Sequence, residues 1–288
     1  MVSLVSWNAR HKNLPIDTGQ YRGEHLVNIL HLSDLHIGKS NNLEKSHRVV
    51  DWILENPDLH QSDLVIISGD LVDDGETWQF EKARDLLTRL RDEDYTVLVA
   101  PGNHDSGPNG FMENPDSKRD FRDLISHIAE YPAVHIQSGQ AFVILDSMEA
   151  EMENREIWGA QGYLGLKQLQ KLDLLLDELA ENPAVENVIL VLHHHPFDYL
   201  FYHGLRDHAD LKGIISRRLG QPPRVNVLLF GHKHLDHRFN DPEENKEELF
   251  GIDLIYASGQ TVERNEEGKM TVPVINLKDK TIQRYLVP

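Results

Sequence analysis

Three times between residues 27 and 105 an apolar run stops at residues able to bind a metal or move a proton. Val27 to Leu32 stops in Ser33-Asp34-Leu35-His36, Asp63 to Ser68 in Gly69-Asp70, and Thr96 to Ala100 in Pro101-Gly102-Asn103-His104-Asp105. Each run has strand length. Between them, Leu43 to Asn56 and Thr77 to Arg91 carry apolar residues at helical spacing: Val49, Val50, Ile53 and Leu54 in the first, Phe80, Ala83, Leu86, Leu87 and Leu90 in the second. Strands alternating with helices predict a largely parallel sheet with right-handed crossovers. Pro101 lacks the ladder N–H and Gly102 accepts turn dihedrals, so the third strand ends there. In open α/β sheets ligands gather beyond the carboxyl ends of strands, where these side chains would lie.

The rest of the chain continues the pattern. A polar loop leads to a predicted helix from Ser117 to Ala129, and Ala133 to Ile136 with Gln140 to Asp146 reads as a hairpin around Ser138-Gly139. Ser147 to Gly162 is an acidic connection, and Leu164 to Glu181 is the longest predicted helix. Asn187 to Leu192 is a strand that ends in His193-His194-His195-Pro196. After a helix near Ala209 to Leu219, Val225 to Phe230 is a strand ending in Gly231-His232-Lys233-His234. Ile252 to Ala257, Thr271 to Leu277 and Thr281 to Leu286 read as β-hairpins, with Asp241 to Glu248 a charged turn before them. Residues 1–25 are polar and read as an N-terminal extension to a single domain spanning 26–288.

Charge and composition narrow the partners. Asp and Glu total 47 against 29 Lys and Arg, a formal net charge of −18. That balance disfavours an extended nucleic-acid footprint and an anionic membrane surface, but not a small phosphate ester, because bound cations reverse the local sign. With no Cys, disulfides and thiolate metal sites are excluded and a cytoplasmic location is the expectation. Met1 to Asn13 holds no apolar run of signal-peptide length, and no run reaches a membrane span.

The strand-end residues are Asp34, His36, Asp70, Asn103, His194, His232 and His234. Asp34 and His36 stand two apart, so on extended backbone they face the same way, and three consecutive histidines cannot all face one centre. Carboxylates, an amide oxygen and imidazoles without thiolate suit transition metals, and seven candidates suit two cations sharing a carboxylate. His104 is placed to act as a general acid, with Asp105 placed to fix its tautomer.

Asp34-x-His36, Gly69-Asp70, Gly102-Asn103-His104-Asp105, His194-x-Pro196 and Gly231-His232-x-His234, in this order, resemble the calcineurin-like metallophosphoesterase family. The resemblance implies an α/β fold, a four-layer αββα sandwich with two mixed β-sheets. It implies that Asp34, His36 and His234 hold one metal, that Asn103, His194 and His232 hold a second, and that Asp70 bridges them. His194 is chosen because the family's ligand stands two before the Pro. The implied cofactors are two divalent or trivalent transition-metal ions, Mn, Fe or Zn. The implied reaction is attack on phosphorus by a metal-activated hydroxide, with His104 protonating the leaving oxygen.

The family's phosphoprotein phosphatases follow Gly-Asp with a phosphate-clamping Arg, whereas Asp73-Asp74 stands here. Its DNA nucleases share several motifs, but the net charge opposes a long DNA track. The better resemblance is to the phosphodiesterases and phosphohydrolases of small substrates, cyclic nucleotides among them. The alternatives are a DNA nuclease of the same family and a non-catalytic protein-binding scaffold, whose mark would be a replaced Asp34, His36 or Asn103; none is replaced.

Overall fold

Alternate side chains of the same strands feed two different cores, and that division builds the layers. The computed structural model describes residues 16–17, 28–110, 113–149, 161–197, 204–220, 224–239 and 250–288. The strands are β1 (Ile16–Asp17), β2 (Asn28–Leu32), β3 (Leu64–Ser68), β4 (Thr96–Ala100), β5 (Ala133–Gln137), β6 (Gln140–Ile144), β7 (Asn187–Val191), β8 (Arg224–Phe230), β9 (His237–Arg238), β10 (Leu254–Ala257), β11 (Met270–Asn276) and β12 (Ile282–Val287). One sheet runs β12-β11-β2-β3-β4 and the other β1-β5-β6-β7-β8-β10-β9. In the first, β2, β3 and β4 are parallel and β11 is antiparallel to both neighbours. In the second, β6, β7, β8 and β10 are parallel, with antiparallel pairs β5–β6 and β9–β10.

On β3, Val65 and Ile67 join a core with Val49, Ile53, Phe80 and Leu86, while Leu64 and Ile66 join another with Phe142, Ile189 and Tyr256. On β7, Ile189 and Val191 share that second core, while Val188 and Leu190 join a third with Leu172, Leu176 and Ile215. The helices outside are α1 (Asn42–Glu55), α2 (Pro57–His60), α3 (Thr77–Asp92), α4 (Pro115–Asp120), α5 (Gly165–Glu181) and α6 (His208–Ser216). Helices α1 and α3 cover the five-stranded sheet, α5 and α6 cover the seven-stranded one, and the sheets face each other across the middle core. The result is the expected αββα sandwich with two mixed sheets. A strand buried on both faces shows near-continuous apolar sequence, as β3 and β7 do.

Two details differ from expectation, and a third concerns register, on which the strand pattern is silent. The segment read as one helix to Ala129 is the short α4 followed by a wider turn, Phe121–Ser126, in which His127 N bonds Arg122 O at 2.8 Å. The segment read as a hairpin at Ile252 to Ala257 is β10, which lies parallel to β8 in the opposite sheet from β11 and β12. Its apolar alternation does not say which neighbour it takes. Third, β7 and β8 slip register at Asn226, whose side chain accepts from Val188 N at 3.2 Å and donates to Asn187 Oδ1 at 2.6 Å. The extra residue keeps Leu229 in the middle core and Phe230 in the outer one. The charged turn expected at Asp241 to Glu248, and most of the acidic connection after Ser147, lie outside the described residues.

Candidate active site

Strands β2, β3, β4, β7 and β8 end around one centre, and the backbone there is wound tightly. Asp34, His36, Asp70, His232 and His234 have φ of 54°, 44°, 49°, 76° and 53°. Left-handed backbone costs a non-glycine residue of order 1–3 kcal/mol and persists only where surroundings impose it. Here, Asp34 N bonds Gly69 O at 3.1 Å, His36 N bonds Asp70 O at 3.0 Å, and Ile37 N bonds Leu71 O at 3.0 Å. Strand alternation therefore does not align Asp34 with His36. The strand stops at Leu32, and left-handed turns bring the pair together.

Asp34, His36 and His234 form one group. His234 Nε2 lies 3.3 Å from His36 Nε2 and 3.5 Å from Asp34 Oδ1. Asp34 Oδ2 accepts from Ser33 Oγ at 2.5 Å and from His232 N at 3.2 Å, while the buried Oδ1 makes no hydrogen bond. Ser33 is braced in turn by Ser68 Oγ, which donates to Ser33 Oγ at 2.9 Å. The single Ser68 hydroxyl proton is then committed, so His31 Nε2, 2.9 Å away, is the donor to Ser68. Burial pushes the His31 imidazole down to about 3, against the pull of Asp236 and Asp34, and keeps it neutral. Gly231 makes room for this relay, since a Cβ there would stand 1.9 Å from Ser33 Oγ.

Asp70, His193 and His232 form a second group, with Asn103 beside it. His193 Nδ1 donates to Ser68 O at 2.8 Å, which leaves the lone pair on Nε2. That nitrogen faces Asn103 Oδ1 at 3.0 Å, Asp70 Oδ2 at 3.1 Å and His232 Nδ1 at 3.2 Å. Asn103 Nδ2 donates to Gly110 O at 3.3 Å, so its oxygen is the atom turned inward. Asp70 reaches both groups: Oδ2 is also 3.8 Å from His36 Nε2, and Oδ1 accepts from His104 N at 2.9 Å. Acceptor atoms converging in a buried space repel one another unless a cation lies among them, so this donor set fits a bound metal. The field agrees. Burial opposes a charged His193, yet Asp70 beside it raises the imidazole to about 9. Burial would also raise the Asp70 carboxyl, but the His193 charge and hydrogen bond hold it well below the usual carboxylate range.

Six of the expected ligands, Asp34, His36, Asp70, Asn103, His232 and His234, are brought together; the seventh, His194, is not. His194 shares a 2.8 Å hydrogen bond between Nδ1 and Ser147 Oγ and packs its ring 4.4 Å from that of His232, outside the metal-capable group, and His193 takes the place beside Asp70. Parity is the reason. Val188, Leu190 and Leu192 face the outer core and Ile189 and Val191 the inner one, so His193 continues the inner row and His194 the outer. His195 packs against Phe197, Phe230 and Phe239 rather than lining the cleft.

His104 lies at the site, but Asp105 does not orient it. His104 Nδ1 donates to the backbone oxygen of Asp73 at 2.6 Å. Asp105 is buried and accepts from Val72 N at 3.0 Å and Gly102 N at 2.9 Å, bracing two ligand-bearing loops. Burial and the nearby Asp70 charge push its carboxyl up to about 7. Asp73, which the motifs did not single out, stands 3.1 Å from His36 Nδ1 and can accept its proton, fixing Nε2 as the inward nitrogen. The signal for it was a second carboxylate three residues after Asp70 in the same loop.

A cleft of about 360 Å³ opens over both groups, lined by Asp73, Asn103, His104, His232, Lys39 and Lys233 among others. Neither lysine is in contact-distance ion pairing with a carboxylate among the described residues. Burial lowers the Lys233 ammonium somewhat. The cleft thus joins metal-capable carboxylates and imidazoles to the His104 imidazole and two lysines, a set suited to holding a phosphate ester.

Known proteins agree with that chemistry. The calcineurin-like phosphoesterase family matches over residues 27–236, which is most of the chain. The chain is 25% identical over 290 residues to a 3',5'-cyclic adenosine monophosphate phosphodiesterase of Escherichia coli (strain K12), covering 91% of this chain and 94% of that one. It is 26% identical over 275 residues to a cAMP/cGMP dual specificity phosphodiesterase of Mycobacterium tuberculosis, covering 90% and 79%. A dimetal phosphatase from Danio rerio shares the fold with a TM-score of 0.59 at 15% identity, covering 91% of this chain and 96% of that one. The chain belongs to the calcineurin-like phosphoesterase family and is a phosphoric ester hydrolase.

Proposed function

We propose that this protein is a dinuclear-metal phosphodiesterase of small substrates, with 3',5'-cyclic nucleotides as the substrate class. The observation that carries the reading is Asp70, whose carboxylate lies within 3.8 Å of His36 in one metal-capable group and 3.1 Å of His193 in the other. Asp34, His36 and His234 would hold one ion, Asn103, His193 and His232 the second, and Asp70 would serve both. Mn, Fe and Zn all suit this thiolate-free set. When bound, such ions neutralise the phosphoryl oxygens and lower the pKa of a water.

The chain's own residues do the rest. His104, anchored through Nδ1, offers Nε2 as the site that carries a proton to the leaving oxygen. Lys39 and Lys233 add positive charge where the phosphoryl group enters. Asp73 holds His36 in place and, through its backbone oxygen, His104 as well. A net charge of −18 supports a small ester over DNA. The absence of Cys supports a reducing compartment such as the cytoplasm. Among the described residues no helix is long and apolar enough to cross a membrane.

The test is turnover of cyclic AMP, bis(p-nitrophenyl) phosphate and short DNA by protein supplied with Mn²⁺, Fe²⁺ or Zn²⁺. The expected result is diester turnover that falls by at least about 10²-fold in Asp70→Asn. Turnover confined to DNA, or none with any of the three metals, would overturn the reading.

A further inference from the structure

A second cleft, of about 340 Å³, adjoins the first across His234, which lines both. Its lining differs in kind. Among the described residues it brings no second metal-capable group, and its charged groups are mainly acidic: Asp236, Glu263 and Glu266, with Arg264 the one cation. Asp236 is already committed, accepting from Tyr256 Oη at 2.7 Å and from two nitrogens of Arg284, at 2.8 Å from Nε and 2.7 Å from Nη2. The exposed Arg264 side chain and the half-buried Gln260 side chain make no hydrogen bond or ion pair among the described residues. Two free hydrogen-bonding side chains thus stand beside a cleft whose far wall is fixed.

That wall is stitched to the metal-capable residues. Ser33 N donates to Thr261 Oγ1 at 2.9 Å and Thr261 N donates back to Ser33 O at 3.0 Å, one residue from Asp34. Ser258 N bonds Phe230 O at 3.0 Å, and Ser258 Oγ donates to His31 O at 3.2 Å. Beyond the wall, Asn265 Oδ1 caps its own turn by accepting from Glu267 N and Lys269 N, both at 3.0 Å. The loop that carries Gln260 and Arg264 is therefore held in register with the site.

Charge decides what such a cleft takes. A second phosphate would meet Glu263 and Glu266, so the anionic centre of a substrate belongs over Lys39 and Lys233 and the uncharged arm belongs here. A planar guanidinium stacks on a heterocycle, while an amide and carboxylates pair with ring edges and sugar hydroxyls. We infer that this cleft is the specificity subsite for the nucleoside arm of the ester, with Arg264 and Gln260 reading it. The inference rests on the phosphodiesterase reading and adds to it the residues that select the organic group.

The experiment compares wild type with Arg264→Ala/Gln260→Ala, both supplied with Mn²⁺, on cyclic AMP and on bis(p-nitrophenyl) phosphate, which has no nucleoside. Binding of AMP to the same two proteins is measured by calorimetry, independently of turnover. The double variant is expected to lose about 10–100-fold in kcat/KM for cyclic AMP, mainly through KM, and a similar factor in AMP affinity. Its kcat/KM for bis(p-nitrophenyl) phosphate should change less than about twofold. Equal losses on both diesters, or no loss on cyclic AMP, would overturn the inference while leaving the phosphodiesterase reading intact. Wild type that turns over neither diester removes the phosphodiesterase reading. AMP binding unaffected by the double substitution removes the subsite.

Discussion

At the scale of the residue, two neighbouring histidines carry the sharpest distinction. His193 faces Asp70 and Asn103, whereas His194 faces Ser147. His193→Gln should lower kcat/KM for diesters by at least about 10²-fold, and His194→Gln should stay within about tenfold of wild type. Steady-state kinetics at saturating Mn²⁺ checks both. Asp105→Asn should destabilise the fold by about 1–3 kcal/mol in urea unfolding, because one buried backbone donor loses its acceptor. It should leave the pH dependence of kcat unmoved, since His104 is anchored by Asp73 O instead. His31 adds a pH term to stability. Its folded pKa, about 3, lies below the ordinary 6.5, so the unfolded chain binds a proton that the folded chain refuses. This contribution is fully present above pH 6.5 and is lost as the pH falls toward about 3. The slope is about 1.4 kcal/mol per pH unit. His31→Gln should flatten the acid side of the stability profile by one such slope, and an unchanged profile would place His31 outside the neutral relay.

At the scale of the element, the sheets hold the site by their ends. Ile66 is fully buried between them, so Ile66→Ala should cost about 2–4 kcal/mol by chemical denaturation. The Ser33–Thr261 pair ties the carboxyl end of β2 to the loop after β10. Thr261→Val keeps the shape and removes the acceptor of Ser33 N, for an expected loss of about 1–3 kcal/mol. How much was legible follows from the same elements. The strand-end positions of Asp34, Asp70, Asn103 and His232 could be read because each follows an apolar run and a turn former. The parity of β7 could not. A strand buried on both faces has no polar side to mark inward from outward, and a register counted from Pro196 chose His194. Asp73 escaped notice because its role depends on a loop folding back on His36. The parallel pairing of β10 with β8 escaped because it is a non-local choice between two sheets.

At the scale of the molecule, two mixed sheets face each other so that five strand ends supply one site, and in a chain of net charge −18 that site is lined by Lys39 and Lys233 beside acceptors that would hold cations. The most direct test of that centre is the metal content per chain of wild type, His193→Gln and His194→Gln after Mn²⁺ loading and removal of free metal. Two ions in wild type, about one in His193→Gln and two in His194→Gln are the predicted result. A single ion or none in wild type, or loss of an ion with His194 rather than His193, would contradict the two-metal site described here.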